Sequence, residues 1–325
     1  MGAKVNLYIS DGLDSDVVEE LKACAEFNVY PEIKLEREKL ISLLKDEQSA
    51  EPKALIIRSN TLVDESLLNQ AINLKLVIRA GEGVDNINLG ICANKGVKVE
   101  NTPGANNNSA AEHALSLMLS LFRKIPFAHE SMVSGKWEKP LFVGQELTGK
   151  KVGIVGFGRI GKLLAKRLAG FEAKILFYDP FVQESELPNV TKCDDVFDLF
   201  HQCDVISLHL PYMKETKHFV SKKHFESMSP HAFFINASRG PIVKEDDLIE
   251  ALREKKLMGA ALDVYEVEPL DAQSELILLS KENKNIVLTP HLGASTIEAQ
   301  KNVGAMCIHQ LKQFFIHDQC INEVS

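Results

Sequence analysis

The chain has no excess of positive charge. Its 37 lysines and arginines are outnumbered by 45 aspartates and glutamates, giving a formal net charge of -8 and a pI near 5.7. A broad basic footprint for nucleic acid or acidic lipid is thereby excluded, and any anionic substrate must be held by a few local basic residues. No apolar run approaches a bilayer-spanning length. Met1 to Ser10 pass directly into a strand-like alternation without the basic and long apolar stretches of a secretory leader. Asn6 spoils a myristoylation signature, and Cys320 stands too far from the end for prenylation. The six cysteines, Cys24, Cys92, Cys193, Cys203, Cys307 and Cys320, never form a Cys-x-x-Cys pair, which favours free thiols in a reducing compartment. A cytoplasmic protein is expected, with no metal, nucleic-acid or membrane partner. Internal repeats and low-complexity tracts are lacking as well.

What is there is enough chain for two domains with full cores: 325 residues, 45% hydrophobic and 25% charged. From Val152 onward short apolar runs recur with helical segments between them, at Val152–Val155, Ile175–Tyr178, Val205–Leu208, Ala232–Ile235, Leu257–Leu262 and Ile286–Leu288. Six strands with crossovers predict an α/β fold, a doubly wound parallel sheet. The helices Lys162–Leu168 and Glu245–Lys255 fall between them, the second with acids in its first turn and lysines in its last, as the helix dipole favours. Ahead of this lies a smaller α/β set, with strands expected at Val5–Ile9, Ala54–Ile57, Leu76–Ile78 and Val97–Val99 and a helix over Asp14–Ala25. The turn-forming stretch Thr102 to Asn108 precedes an expected capping box, Ser109 to Glu112, and an apolar helix Ala114–Phe122. The first crossing between domains belongs there. A long amphipathic helix, about Ser295 to Phe315, can carry the chain back to the first domain.

The pattern Gly156-x-Gly158-x-x-Gly161 follows the first strand of the larger set and opens a helix. Its glycines permit a tight turn, close approach of a pyrophosphate to the backbone, and close packing of helix on strand. Alone the pattern is weak. It gains weight from Asp179, about 20 residues on at the end of the next strand, where a carboxylate accepts the ribose hydroxyls of a dinucleotide. The same carboxylate repels a 2'-phosphate, and Pro180-Phe181-Val182-Gln183 offer no arginine to receive one. NAD is therefore expected over NADP.

Arg239, Glu268 and His291 each stand a few positions beyond the fourth, fifth and sixth of these strands. Parallel sheets place their ligands at the carboxyl ends of the strands, so guanidinium, carboxylate and imidazole are expected in one crevice. Each alone would be unremarkable, as a surface arginine, a solvated loop acid or a hydrogen-bonded loop histidine. Together beside a nicotinamide site they suit hydride exchange at a carbon that bears a hydroxyl next to a carboxylate. Arginine binds the carboxylate and polarises the oxygen, histidine exchanges the proton, and glutamate stabilises the imidazolium.

The stretches Arg79-Ala80-Gly81-Glu82-Gly83-Val84-Asp85-Asn86, Gly156 to Gly161, Asn236 to Gly240, Ala261-Leu262-Asp263-Val264 and Thr289-Pro290-His291 together resemble the D-2-hydroxyacid dehydrogenase family, its phosphoglycerate-oxidising branch above all. The resemblance covers almost the whole chain. It implies a flavodoxin-like substrate domain built from residues 1–104 and 295–325, and an inserted Rossmann NAD domain, 105–294, that joins two protomers into a homodimer. It also implies Arg239, Glu268 and His291 as the catalytic set, Asp263 at the nicotinamide amide, and Arg159 and Ile160 at the pyrophosphate. The backbone amides of Glu82 and Gly83 would meet the substrate carboxylate. Arg58, with Asn108 nearby and Lys139 reaching across from the partner, would complete the substrate contacts.

Members of this branch often carry a carboxyl-terminal regulatory domain that binds serine; the sequence ends at Ser325, so feedback of that kind is not expected. Glu82 departs from the pattern by placing an acid where an anion should dock. The expected substrate is a small anionic 2-hydroxyacid or 2-oxoacid, D-3-phosphoglycerate first. Reduction of glyoxylate, hydroxypyruvate or another 2-oxoacid would use the same residues, and an NAD-binding corepressor-like scaffold is the alternative outside enzymology.

Overall fold

The computed structural model of the chain describes residues 4–31, 35–46 and 50–324. Met1 to Ala3 and Ser325, at the two ends of the expected discontinuous domain, lie outside them. The chain divides into two compact units, Met1–Asn106 with Ala294–Ser325, and Asn107–Gly293.

Among the described residues the first unit holds a five-stranded parallel sheet of β1 (Val5–Ile9), β2 (Phe27–Pro31), β3 (Lys53–Ile57), β4 (Leu74–Arg79) and β5 (Lys98–Asn101), in the order β2-β1-β3-β4-β5. That is the flavodoxin-like order. Its crossovers are α1 (Ser15–Ala23), α2 (Arg37–Lys45), α3 (Glu65–Gln70) and α4 (Leu89–Asn94). The Asp14 side chain accepts from the Asp16 N–H to start α1, a side-chain cap of the kind helices need where four N–H groups lack partners. One strand exceeds the four expected from sequence. β2 lies at the sheet edge with only Phe27 buried, so it shows neither a buried run nor a clean alternation, and Pro31 is tolerated because an edge demands fewer donors.

The second unit holds a seven-stranded parallel sheet: β6 (Lys151–Val155), β7 (Lys174–Tyr178), β8 (Val190–Lys192), β9 (Val205–Leu208), β10 (Phe233–Asn236), β11 (Gly259–Leu262) and β12 (Ile286–Leu288). The order β12-β11-β10-β9-β6-β7-β8 reverses direction at β6 and β9, the doubly wound Rossmann arrangement. Here too an edge strand, the three-residue β8, adds to the six expected. Alternate residues serve opposite faces. Phe233 and Ile235 pack with α5 (Asn107–Arg123) and later α7 (Arg159–Leu168), while Phe234 joins the core of α8 (Val196–Gln202), α9 (Lys222–Ser227), α10 (Glu245–Arg253) and α11 (Glu275–Glu282). A shorter helix, α6 (Ile125–Val133), follows α5.

The expected capping box at Ser109 to Glu112 does not form, because α5 begins at Asn107 and Ser109 is already buried inside it. Burial of Ala110, Ala111 and Ala114 on one face carries the helix through residues of modest intrinsic propensity. After the second unit, α12 (Ile297–His317) returns to the first, capped by the Thr296 side chain. Its Val303, Cys307, Ile308 and Leu311 fill the same core as Val17 and Leu21 of α1. Gly304 lets the two helices close, since a Cβ there would strike the Val17 side chain. No helix among the described residues is long and apolar enough to cross a membrane.

Candidate active site

The second unit's geometry begins with strand register. Asn236, Leu262 and Leu288 close β10, β11 and β12 and stand side by side in the sheet. Arg239, Glu268 and His291 therefore leave from the carboxyl edge of three neighbouring strands.

Each loop is held by its own polar contacts. Asn236 wraps the Arg239 turn: its amide donates to the Arg239 carbonyl (3.0 Å) and its Oδ1 accepts from the N–H (3.1 Å) and hydroxyl (2.9 Å) of Ser238. Gly240 lies directly against the backbone of the next loop, where a Cβ would collide with the Tyr265 carbonyl. That contact joins the Arg239 and Glu268 turns into one wall. In the second turn the Tyr265 N–H donates to Glu268 Oε1 at 3.1 Å. The buried Tyr265 hydroxyl donates to the carbonyls of Leu262 (3.2 Å) and Thr289 (2.9 Å), tying β11 to β12. Burial, then the nearby Asp263 charge, push the Tyr265 phenol above its ordinary value, so it remains a donor.

His291 adopts φ +55°, a left-handed conformation uncommon outside glycine and a source of backbone strain. Its N–H is shared between the carbonyls of Asp263 (2.9 Å) and Thr289 (3.1 Å), which holds the conformation. Its Nδ1 lies 2.7 Å from Glu268 Oε2. The carboxylate can only accept, so Nδ1 carries the proton and Nε2 is the ring atom left for exchange. Both side chains are about a third exposed, 30% for His291 and 33% for Glu268, so a small molecule can reach the pair.

Asp263, expected at the nicotinamide amide, has a fully buried carboxylate. Oδ1 accepts from the Thr289 hydroxyl (2.6 Å), the Leu292 N–H (2.7 Å) and His113 Nε2 (3.0 Å), and Oδ2 from the Gly293 N–H (2.9 Å). Burial by itself would push this carboxyl up, but the donors of His113, Thr289 and Leu292 outweigh it and hold it below the usual carboxylate range. The turn that carries His291 is wound around a buried anion.

A second imidazole–carboxylate pair flanks the same loop. His218 Nε2 lies 2.7 Å from Glu266 Oε1, and the Glu266 N–H donates to the Glu245 carboxylate at 3.1 Å. Two residues apart, Glu266 and Glu268 are thus tied to different histidines.

The glycine turn behaves as a dinucleotide cradle would. Gly156 has φ +92°, and a Cβ there would sit 2.6 Å from the His209 carbonyl. At Gly161 a Cβ would collide with the Gly156 carbonyl, whereas one at Gly158 would meet open space. α7 starts from Gly158, which has no side chain to cap the first turn. Asp179 is buried at the end of β7. Its Oδ2 accepts from the Phe157 N–H at 2.7 Å, and Oδ1 from Phe181 (2.8 Å) and Val182 (3.1 Å). The acid therefore braces the turn, with acceptor capacity to spare on Oδ2.

Of the remaining expected residues, two groups belong to the first unit. Arg58 follows β3, its N–H donating to Asp11 Oδ2 (2.6 Å) and its carbonyl accepting from the Asn86 amide (2.7 Å). Glu82 and Gly83 follow the neighbouring β4, and the Glu82 carbonyl accepts from the Asn101 amide at 2.6 Å. Strand pairing of Ile57 with Arg79 puts both turns at one sheet edge. In the second unit Asn108 lies exposed in the first turn of α5, its Oδ1 accepting from Arg167 at 3.0 Å. Lys139 is exposed in a short 3-10 turn, Lys139–Phe142. His113, Asn236, Tyr265 and Thr289 are site neighbours to which the sequence reading assigned no role, although Asn236 and Thr289 fall within the motif stretches. Only the polar Asn236 at the end of an apolar strand carried a local signal.

Residues 115–293 match the family model described as D-isomer specific 2-hydroxyacid dehydrogenase, NAD binding domain. The chain is 45% identical over 253 residues to the D-3-phosphoglycerate dehydrogenase of Archaeoglobus fulgidus, covering 78% of this chain and 47% of that one. It is 38% identical over 309 residues to the hydroxypyruvate reductase of Thermotoga maritima, covering 95% and 98%. The crystal structure of a glyoxylate reductase from Paecilomyes thermophila superimposes with a TM-score of 0.87 at 26% identity, covering 100% of this chain and 99% of that one. The chain spans about half the length of the phosphoglycerate dehydrogenases it matches. By sequence and by fold, the chain belongs to the D-isomer-specific 2-hydroxyacid dehydrogenase family.

Proposed function

We propose that the chain is an NAD-dependent dehydrogenase that oxidises D-3-phosphoglycerate to 3-phosphohydroxypyruvate, the oxidation from which serine is made. The observation that carries the enzymatic part is the His291–Glu268 pair at 2.7 Å, on strand ends next to that of Arg239. The guanidinium of Arg239 binds the substrate carboxylate and polarises the oxygen on the neighbouring carbon. His291 Nε2 takes the hydroxyl proton while Glu268 holds Nδ1 and stabilises the imidazolium that results. The chemistry that NAD supplies when bound is hydride uptake at its nicotinamide ring. The first-turn N–H groups of α7 would hold its pyrophosphate, and Asp179 its ribose hydroxyls.

Phosphoglycerate is favoured by the names of several relatives and by Arg58, a cation at the sheet edge beside the Glu82-Gly83 turn. The match along 98% of a hydroxypyruvate reductase favours a second reading, reduction of an unphosphorylated 2-oxoacid. Steady-state comparison separates them: kcat/KM is expected to be at least about tenfold higher for D-3-phosphoglycerate than for D-glycerate, equivalent to about 1.4 kcal/mol in transition-state binding. Arg58→Ala should erase most of that preference. Equal kcat/KM for both acids, or faster turnover of hydroxypyruvate and glyoxylate, would remove the phosphorylated substrate.

A homodimer joined through the second unit is part of this reading. Val133 (70% exposed), Trp137 (80%) and Val143 (75%) leave large apolar side chains in water along residues 125–143, a density that marks an interaction surface. Trp137→Glu is expected to halve the mass measured by sedimentation equilibrium at micromolar concentration; an unchanged mass would move the interface elsewhere. We place the protein in the cytoplasm, where its six free thiols would stay reduced. Burial pushes Cys203 and Cys307 up to about 12, so these remain unreactive thiols.

A further inference from the structure

His113 lies within α5, in a stretch whose apolar neighbours Ala110, Ala111, Ala114 and Leu117 are core residues. A histidine among them could be mere packing. Its ring nitrogen has a more specific placement: Nε2 is 3.0 Å from Asp263 Oδ1 and 3.3 Å from Thr289 Oγ1. Because Asp263 is held as a carboxylate and can only accept, Nε2 must carry a proton. The Thr289 hydroxyl gives its own proton to the same Oδ1, so its oxygen lone pairs can only receive from His113. The imidazole N–H is thus shared between the acid on which the β12 turn is wound and the hydroxyl that opens that turn.

We propose that His113 is a positioning residue for proton exchange at His291: its Nε2–H anchors Asp263 and Thr289, and through them the turn from Thr289 to Gly293 that presents the His291 ring to Glu268. The inference rests on the dehydrogenase reading above. The chain of contacts is short. His113 touches Asp263; Asp263 accepts from the N–H groups of Leu292 and Gly293 by its side chain and from that of His291 by its carbonyl. Every residue of the turn from His291 to Gly293 is therefore bonded to Asp263. Without His113 the carboxylate keeps the three donors of the turn itself and loses the one supplied by α5. The anchor can then move with the loop it should hold still. Direct contacts tie this turn to the titratable groups Asp263, Tyr265 and Glu268 from the β11 side and to His113 from α5, so a change at His113 reaches His291 through Asp263 and Thr289.

Three variants separate positioning from packing. His113→Ala removes the ring, His113→Leu keeps apolar bulk without a donor, and His113→Gln presents an amide N–H at about the reach of Nε2. Alanine and leucine are expected to lower kcat about tenfold, the worth of one charge-assisted hydrogen bond, with KM for the acid within about twofold. Glutamine should recover most of the rate. In carbon-13 histidine NMR, the His291 ring signals and their pH titration should differ from wild type in the alanine and leucine variants and return toward it with glutamine. Wild-type kcat and wild-type ring signals in His113→Leu would overturn the proposal, as would an equal loss in all three variants. If the wild type turns over no 2-hydroxyacid, the dehydrogenase reading fails, and the ring signals alone decide whether His113 positions His291.

Discussion

Replacing His291 by alanine is expected to lower kcat by roughly 10² to 10⁴, the usual worth of a positioned acid–base group, while the Kd for NAD stays within about twofold. The reasoning is geometric. The imidazole is bonded at Nδ1 to Glu268, so in the proposed reaction its other nitrogen exchanges the proton, and no part of the glycine turn between β6 and α7 depends on it. Alanine also relieves none of the backbone's constraints, since the left-handed φ of +55° remains imposed by the hydrogen bonds of the turn. Glu268→Gln keeps the shape and removes the charge, and should recover less than the wild-type rate. Turnover and NAD titration by fluorescence check both parts. An alanine variant with wild-type turnover would deny His291 the proton, and a wild type at background level with every D-2-hydroxyacid and NAD would instead favour the scaffold role.

Gly240→Ala should be the most damaging change outside the proposed catalytic trio. Gly240 does not occupy a left-handed conformation, so its substitution tests contact rather than backbone freedom. A single added Cβ would collide with the Tyr265 carbonyl, between the turn of Arg239 and the turn of Glu268. Overpacking of this kind costs typically 1 to 3 kcal/mol; here a loss of about 2 kcal/mol by urea denaturation is expected. Relief must come from one of the two turns, so kcat should fall at least about tenfold even in the folded fraction, because small misplacements of reacting groups are costly. Wild-type stability with wild-type turnover would mean that the two turns do not form one wall.

The strands of the second unit were legible because buried parallel strands announce themselves as continuous apolar runs, and the glycine turn because its constraints act within six residues. Two edge strands, one in each sheet, escaped for the opposite reason. Of β2 and β8 only Phe27 is buried, so their side chains carry little of the burial that makes a pattern. The start of α5 was misplaced because local capping chemistry at Ser109 competes with burial of the whole helical face, and burial decided.

At the site, the residue types and their order along the strands point to hydride chemistry by themselves. Which histidine Glu266 meets was a different matter. Glu266 and Glu268 differ by two positions, yet one meets His218 and the other His291. His113 and Asp263 are separated by 150 positions of chain, and nothing in the neighbourhood of either announces the other.

The sequence by itself determined the strand-and-turn grammar, the dinucleotide cradle and the acid–base chemistry available, because each depends on burial or backbone freedom over a few consecutive residues. Only the tertiary structure decided the remaining partnerships: Glu266 with His218, Asp263 beneath the turn, His113 beneath Asp263. Those follow from parallel strands that bring distant loops to one edge, where a buried charge must find donors wherever the fold supplies them.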